Sequence, residues 1–243
     1  MYQTIHAVAL RTIKYSDRSS ILTAWSSELG RVALLMPAGN GAESRRRRAL
    51  TMPLSLFEGV VDVRPGRDVM QISDLKGALK GSDIGANPVR ATVAMFLAEV
   101  LTAITREGGP DAALWRFLED SVETLGRLKG NALANFHLVF LTRLATVLGL
   151  EPDMSTWAPG KWFDLSDGFF RRSRPLHDHC LEPRQARMAR LLLSLTGYDK
   201  LALLPFSRNT RREALETILR YYTLHHSPLD NLHSLPVVRA TLC

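Results

Sequence analysis

At 243 residues, 46% hydrophobic and 23% charged, the chain has the composition of a globular protein with room for one large core or two modest ones. Two cysteines, Cys180 and Cys243, exclude a disulfide framework, and no apolar run approaches the length of a membrane span. The formal charge of +7 and pI near 9.8 favour acidic partners; residues 1–82 carry 12 Lys+Arg against 7 Asp+Glu, and the remainder 19 against 17.

The first residues lack the basic start and continuous apolar stretch of a secretory signal, so a cytoplasmic protein with no membrane partner is expected. His6–Thr12, Ser20–Ser26 and Gly30–Met36 are short, rich in Val, Ile, Leu or Thr, and separated by turn residues, which predicts three strands. Leu54–Arg64 alternates and predicts a fourth, with Gly59 as a bend. Pro65–Asp68 reads as a turn before a fifth strand, Val69–Leu75. Five short strands in so few residues suit a small barrel. An OB-fold is the leading form, although the period alone does not separate it from an SH3-like barrel.

Between the third and fourth strands lies Met36–Pro53, with Gly39-Asn40-Gly41 followed by Arg45, Arg46, Arg47 and Arg48. The turn residues predict a mobile loop or hairpin carrying the arginines. Adjacent guanidinium groups repel one another, and a polyanion relieves that repulsion; a solvated loop kept basic for solubility fits the run equally well. Tyr15, Trp25 and Phe57 lie in or beside the β domain and are candidates to stack on bases. The phase of Trp25 with Ile21 and Thr23 favours the core, and Tyr15, between Lys14 and Ser16, is the better candidate for exposure.

From Asn87 the pattern turns helical. Asn87-Pro88 predicts a capped start to a helix ending near Glu107. A second runs from Pro110 to about Leu128. Asn131 is expected to cap a third, strongly apolar helix through Gly149. Leu150–Leu181 is irregular, with a small hairpin from Lys161–Asp164 and Phe169–Arg172. A fourth helix is expected at Glu182–Leu195. The spacing of Thr210 and Glu213 predicts the start of a fifth, running to His225, and Leu235–Leu242 adds a last helical turn.

No phosphate-binding loop, nucleophile elbow or H-E-x-x-H motif occurs. His177-Asp178-His179-Cys180 has metal-ligand chemistry but lacks an evident fourth ligand, so a polar surface loop is the favoured reading. His225-His226 suits a helix C-terminus, and Asp164 and Asp167 suit a turn.

The order of elements is similar to a known family. R-x-x-x-Y-S-D-R-S-x-I-L-T at Arg11–Thr23, E-L-G-R at Glu28–Arg31 and L-x-x-P-L-S-L-F-E at Leu50–Glu58 resemble the RecO family of bacterial DNA repair proteins. So do F-x-x-x-F-L-T-R-L-A-T-x-L-G-L-E-P at Phe136–Pro152 and F-D-x-x-x-G-x-F at Phe163–Phe170. The resemblance implies an α+β multidomain fold. Residues 1–80 would form a five-stranded OB-fold DNA-binding barrel, and 81–243 a mainly α-helical domain with an irregular or hairpin insertion near 150–181. It implies a non-enzymatic recombination mediator, nucleoid-associated in the cytoplasm. Such a protein binds single- and double-stranded DNA, anneals complementary strands and partners RecR. It also engages the acidic C-terminal tail of single-stranded DNA-binding protein, and so acts indirectly on RecA.

Many RecO-like proteins carry a four-cysteine zinc module where this chain has Trp157–Gly160 and Pro175–Cys180, so no zinc and no other cofactor is expected. The expected DNA contacts are Arg11, Lys14, Arg18, Arg31 and Arg45–Arg48. Arg127 and Arg143, beside the Phe136–Leu148 helix, are the expected contacts to the partner tail. Two rivals stand beside this reading: a barrel that acts on RNA, and an enzyme with its site near His137, His177 or Asp164.

Overall fold

The computed structural model describes residues 1–78, 84–105, 108–229 and 231–243. The junction expected at residues 80–81 and the helix end expected at Glu107 lie outside the described residues. The chain divides into two compact units, Met1–Arg127 and Leu128–Cys243.

In the first unit, β1 (Tyr2–Lys14), β2 (Ser19–Ser26), β3 (Gly30–Pro37), β4 (Leu56–Asp62) and β5 (Val69–Gly77) close a barrel in the order β1-β2-β3-β5-β4. β3 and β5 pair in parallel and the other neighbours are antiparallel, which settles the fold as OB-like. β1 is longer than its alternating stretch because its halves serve different partners: Tyr2–Val8 pair with β4 and Ala7–Lys14 with β2. Leu10 is the extra residue at a bulge between the pairs of Ala9 and Arg11. Ile5, Ala7, Leu22, Leu34, Phe57 and Val61 fill the barrel, all fully buried. Gly59 sits at a register shift, where a Cβ would lie 2.6 Å from Ile72 Cδ1.

The arginine run is not a loop. Ala42–Leu50 is helix α1, between β3 and β4. The reason is local: after Gly41 the segment AESRRRRAL has no β-branched residue, glycine or proline, and alanine, glutamate, arginine and leucine all favour helix. A helix also relieves the charge repulsion, since successive side chains are turned away from one another. Glu43 pairs with Arg47 one turn later at 2.6 Å.

The first unit also holds α2 (Pro88–Ile104) and α3 (Ala112–Arg127). Asn87 Oδ1 accepts from the Arg90 N–H at 3.0 Å, the cap its sequence predicted. At α3 the cap is Asp111, whose carboxylate accepts from the N–H groups of Ala113 and Leu114; the helix begins two residues after Pro110. The turn between β2 and β3 is tied by Glu28, which accepts from the His6 N–H, the His6 ring and the Ser26 hydroxyl. Burial alone would raise the Glu28 carboxyl, but hydrogen bonds from His6, Ser27 and Ser26 outweigh it and hold it at about 2. Gly30, at φ +69, closes the same turn; a Cβ there would lie 2.5 Å from the Gly109 carbonyl carbon, so no other residue fits.

The second unit is built on α4 (Gly130–Val147), in which every residue from 135 to 142 is buried. Lys129 stands at its N-cap. Asn131, the expected cap, instead donates to the carbonyls of Ala202 and Leu204, where orphan acceptors of the Leu201–Leu203 turn compete for it. Asn135 donates to the Leu201 carbonyl at 3.0 Å. β6 (Trp162–Asp164), β7 (Phe169–Arg171) and β8 (Cys180–Leu181) form a small sheet in the order β7-β6-β8. Helices α5 (Pro183–Leu193), α6 (Arg208–His225) and α7 (Leu235–Leu242) complete the unit. The α6 cap is Ser207 and not Thr210: its hydroxyl accepts from the Thr210 N–H, which makes Thr210 the third helical residue. Arg211, only 9% exposed, donates to the Leu242 carbonyl at the end of α7 and to the Phe206 carbonyl just before α6.

Candidate nucleic-acid interface

The β1–β2 connection, the turn after β3 and helix α1 enclose a cleft of about 650 Å³ on the barrel. Lys14, Arg47 and Arg48 line it over a floor that includes Met36, Pro37 and Met52. Asp17 is also in the lining and pairs with Lys14 at 2.7 Å. A second cleft of about 460 Å³, on another side of α1, is lined by Arg46, Arg47 and Lys76 together with Glu43 and Asp74. The helix thus stands between two grooves with an arginine face toward each. A phosphodiester backbone is the ligand such an arrangement suits, since guanidinium groups bind phosphate through paired N–H donors.

The eight barrel cations expected at the site divide by what they already hold. Arg45 donates to the Asn40 carbonyl at 2.9 Å and Arg48 to the Gly39 carbonyl at 2.7 Å, so both pull the glycine-rich turn onto α1. Arg47 bonds Glu43 and the Ser44 hydroxyl. Among the described residues the side chains of Arg11, Arg18 and Arg46 have no such partner and are exposed. Arg31 lies apart from α1's clefts and donates to the carbonyls of Thr102 at 2.8 Å and Thr105 at 3.2 Å, at the end of α2. Its position makes it a helix cap, because those carbonyls have no intrahelical donor.

Tyr15 is 67% exposed on the β1–β2 connection, whereas Trp25 is 3% and Phe57 0% exposed; Phe57 belongs to the barrel core, and Trp25 is buried outside it, where a Cβ on Gly108 would lie 3.3 Å from its ring. The two expected partner contacts do not share an element: Arg127 ends α3 and pairs with Glu123, while Arg143 lies on α4 with its guanidinium 4.3 Å from the Tyr198 ring centre. The apolar side of α4 that was to form the partner groove is core, with Phe136, Leu138, Phe140 and Leu144 fully buried.

Asp164, His137 and the His177–Cys180 cluster each have a structural role. Asp164 is 1% exposed at the β6–β7 turn and accepts from Arg171 Nε at 2.8 Å and from the N–H groups of Ser166 and Asp167. Burial pushes its carboxyl up, but Arg171 and the backbone donors outweigh that and hold it below the usual range. His177 Nε2 lies 3.4 Å from the same carboxylate, and His179 Nδ1 faces Arg220 at 3.0 Å. His137 is fully buried; burial, with Arg211 nearby, drives its pKa down to about 3 against a smaller opposing influence of the Ala134 backbone, so it is neutral at pH 7.

One feature went unread in the sequence. A groove of about 570 Å³ in the second unit is lined by Trp157, Arg184, Arg187 and Arg190. Its signal was the three-residue spacing of arginines in PRQARMAR, which puts them on one stripe of α5.

The chain is thus of the class built from an OB-like barrel, here with arginine-lined clefts beside its connecting helix, followed by a helical region. The model of the Recombination protein O N terminal family matches residues 1–78, and that of the Recombination protein O C terminal family matches residues 86–236. Relatives include the DNA repair protein RecO of Phocaeicola vulgatus, 32% identical over 98% of both chains, and that of Porphyromonas gingivalis, 34% identical over 97% of both. The RecO of Bacteroides fragilis is 32% identical over 98% of both chains. The chain belongs to the RecO family of DNA repair proteins. Among the described residues no helix is long and apolar enough to cross a membrane.

Proposed function

We propose that this protein is a DNA-binding recombination mediator, not an enzyme, which binds single- and double-stranded DNA and anneals complementary strands. With RecR it helps RecA load on DNA coated by single-stranded DNA-binding protein, in the cytoplasm at the nucleoid. The observation that carries this reading is the cleft beside α1, where Lys14, Arg47 and Arg48 line one groove while Arg46 reaches the other. Arg11, Arg18 and Arg46, without internal partners among the described residues, are its first-choice phosphate contacts; Lys14, Arg45, Arg47 and Arg48 exchange weak internal contacts for phosphate. Arg31 contributes by holding α2. The barrel, residues 1–80, serves as the DNA-binding domain and residues 81–243 as the partner-binding one.

The acidic tail of single-stranded DNA-binding protein is assigned to the helical part, with Arg127 and Arg143 as its carboxylate partners. The Arg127–Glu123 pair is a surface ion pair, worth about 0–1 kcal/mol, so an incoming carboxylate displaces it at little cost. The test is strand annealing on complementary DNA coated with single-stranded DNA-binding protein. Annealing that depends on this protein is expected; coated strands that stay apart at saturating protein would refute the reading. A strong preference for RNA in competition would transfer the barrel to an RNA substrate.

A further inference from the structure

The groove on α5 is a cation site that the barrel reading leaves unused. Residues 128–243 carry 15 Lys+Arg against 10 Asp+Glu, a basic excess as large as that of the first 82 residues. α5 buries Ala186, Ala189 and Leu192 on one side and turns Arg184, Arg187 and Arg190 outward on the other. Successive members of this stripe rise about 4.5 Å along the helix. Arg184 and Arg187 have no ion pair or side-chain hydrogen bond among the described residues, and no carboxylate lines the groove. The Arg190 guanidinium carbon lies over Trp157, 4.4 Å from the ring centre, and Leu191 and Phe206 supply apolar walls.

We propose that this groove binds a strand of DNA, giving the chain a second strand-binding surface besides the barrel. The proposal rests on the DNA-binding reading above and extends it. Unneutralised arginines in a row call for an anion with charges repeated along its length, as a phosphodiester backbone has; a peptide ending in one carboxylate would leave part of the row unpaired. The Arg190–Trp157 pair and the apolar walls suit an unstacked base, which favours a single strand over a duplex. Two strand sites on one chain raise the effective concentration of one strand near the other, which is what annealing needs.

The test uses the full chain and an oligothymidylate of about eight nucleotides, short enough for one site. The wild type is expected to bind two per chain, and a photoactivatable 5-iodouracil strand to crosslink to the segment holding Trp157 as well as to the barrel. Arg184→Ala with Arg187→Ala should weaken the second site and lower its log–log salt dependence by about 1.4, at 0.7 per lost phosphate contact, while the barrel site is unchanged. Arg187→Glu should abolish the Trp157 crosslink; circular dichroism on both variants checks that these exposed substitutions leave the fold intact. One oligonucleotide per wild-type chain, with crosslinks confined to the barrel, would overturn the second site and leave the DNA reading standing. No binding at all would overturn both. An acidic peptide with an apolar end that fills the groove while DNA does not would make it a protein-docking site and refute the proposal.

Discussion

Replacing Arg45–Arg48 together by alanine separates the two jobs α1 can have. Three of the four side chains hold internal acceptors: Arg45 on Asn40, Arg48 on Gly39 and Arg47 on Glu43. Each exposed hydrogen bond of this kind contributes about 0.5–1 kcal/mol at the low end of the general range. Alanine returns a few tenths per position through its higher helix propensity. The expected net loss is about 1–2 kcal/mol, small against the roughly 5–15 kcal/mol of a typical protein, so the barrel stays folded. Binding to single-stranded DNA should fall similarly for all sequences, because phosphate contacts carry no base information. The log–log salt dependence should flatten by roughly 1.4 to 2.8 if two to four contacts are lost. Fluorescence anisotropy across a salt series measures both, with urea unfolding in parallel. Arg46→Ala alone is the internal control: it should remove about 0.7 of slope at no cost in stability. Wild-type affinity and slope in the fourfold variant would show that the run only closes its turn and keeps the protein soluble, with the DNA surface elsewhere. Unfolding would show that the internal contacts of Arg45, Arg47 and Arg48 are undervalued here.

Arg31→Ala should behave oppositely to Arg46→Ala. Loss of the bonds to the Thr102 and Thr105 carbonyls should cost about 1–3 kcal/mol in urea unfolding, while the salt slope for DNA stays unchanged; a flattened slope without loss of stability would return Arg31 to the DNA surface. His137 predicts the acid limb of stability. Its folded pKa of about 3 lies below the ordinary 6.5, so its contribution is complete above pH 6.5 and falls away as the pH drops toward 3. By pH 5 the loss from this group alone is about 2 kcal/mol. His137→Leu should flatten that part of the profile; an unchanged slope between pH 6.5 and 5 would contradict a neutral, buried imidazole.

The sequence by itself determined what depends on neighbours in the chain. Alternation with turn residues marked all five barrel strands, and Asn87-Pro88 marked the start of α2, because pleat and cap are local. The ordered motifs carried the family. Where local signals competed, the chain alone misled: Gly39-Asn40-Gly41 suggested a loop through Arg48, though the residues after Gly41 were helix formers throughout. The caps Asn131 and Thr210 were misplaced for a tertiary reason in one case and a local one in the other. Carbonyls far along the chain claimed Asn131, while Ser207, three residues earlier, took the cap before Thr210.

Only the tertiary structure decided what each charge holds within the fold. Arg31 and Arg46 look alike in sequence, yet one caps carbonyls 71 and 74 residues away and the other points to solvent. Net charge misled in the same way. The region after residue 82 looks almost balanced only because residues 83–127, with 4 Lys+Arg against 7 Asp+Glu, offset the basic second unit. The division into units separates those two stretches, and α5 then gathers arginines from the second onto one groove with Trp157, a residue 27 positions before the first of them. Electrostatic attraction falls off over distances of about 10 Å in ordinary salt, so what a ligand feels is the charge the fold brings to one surface, not the sum along the chain.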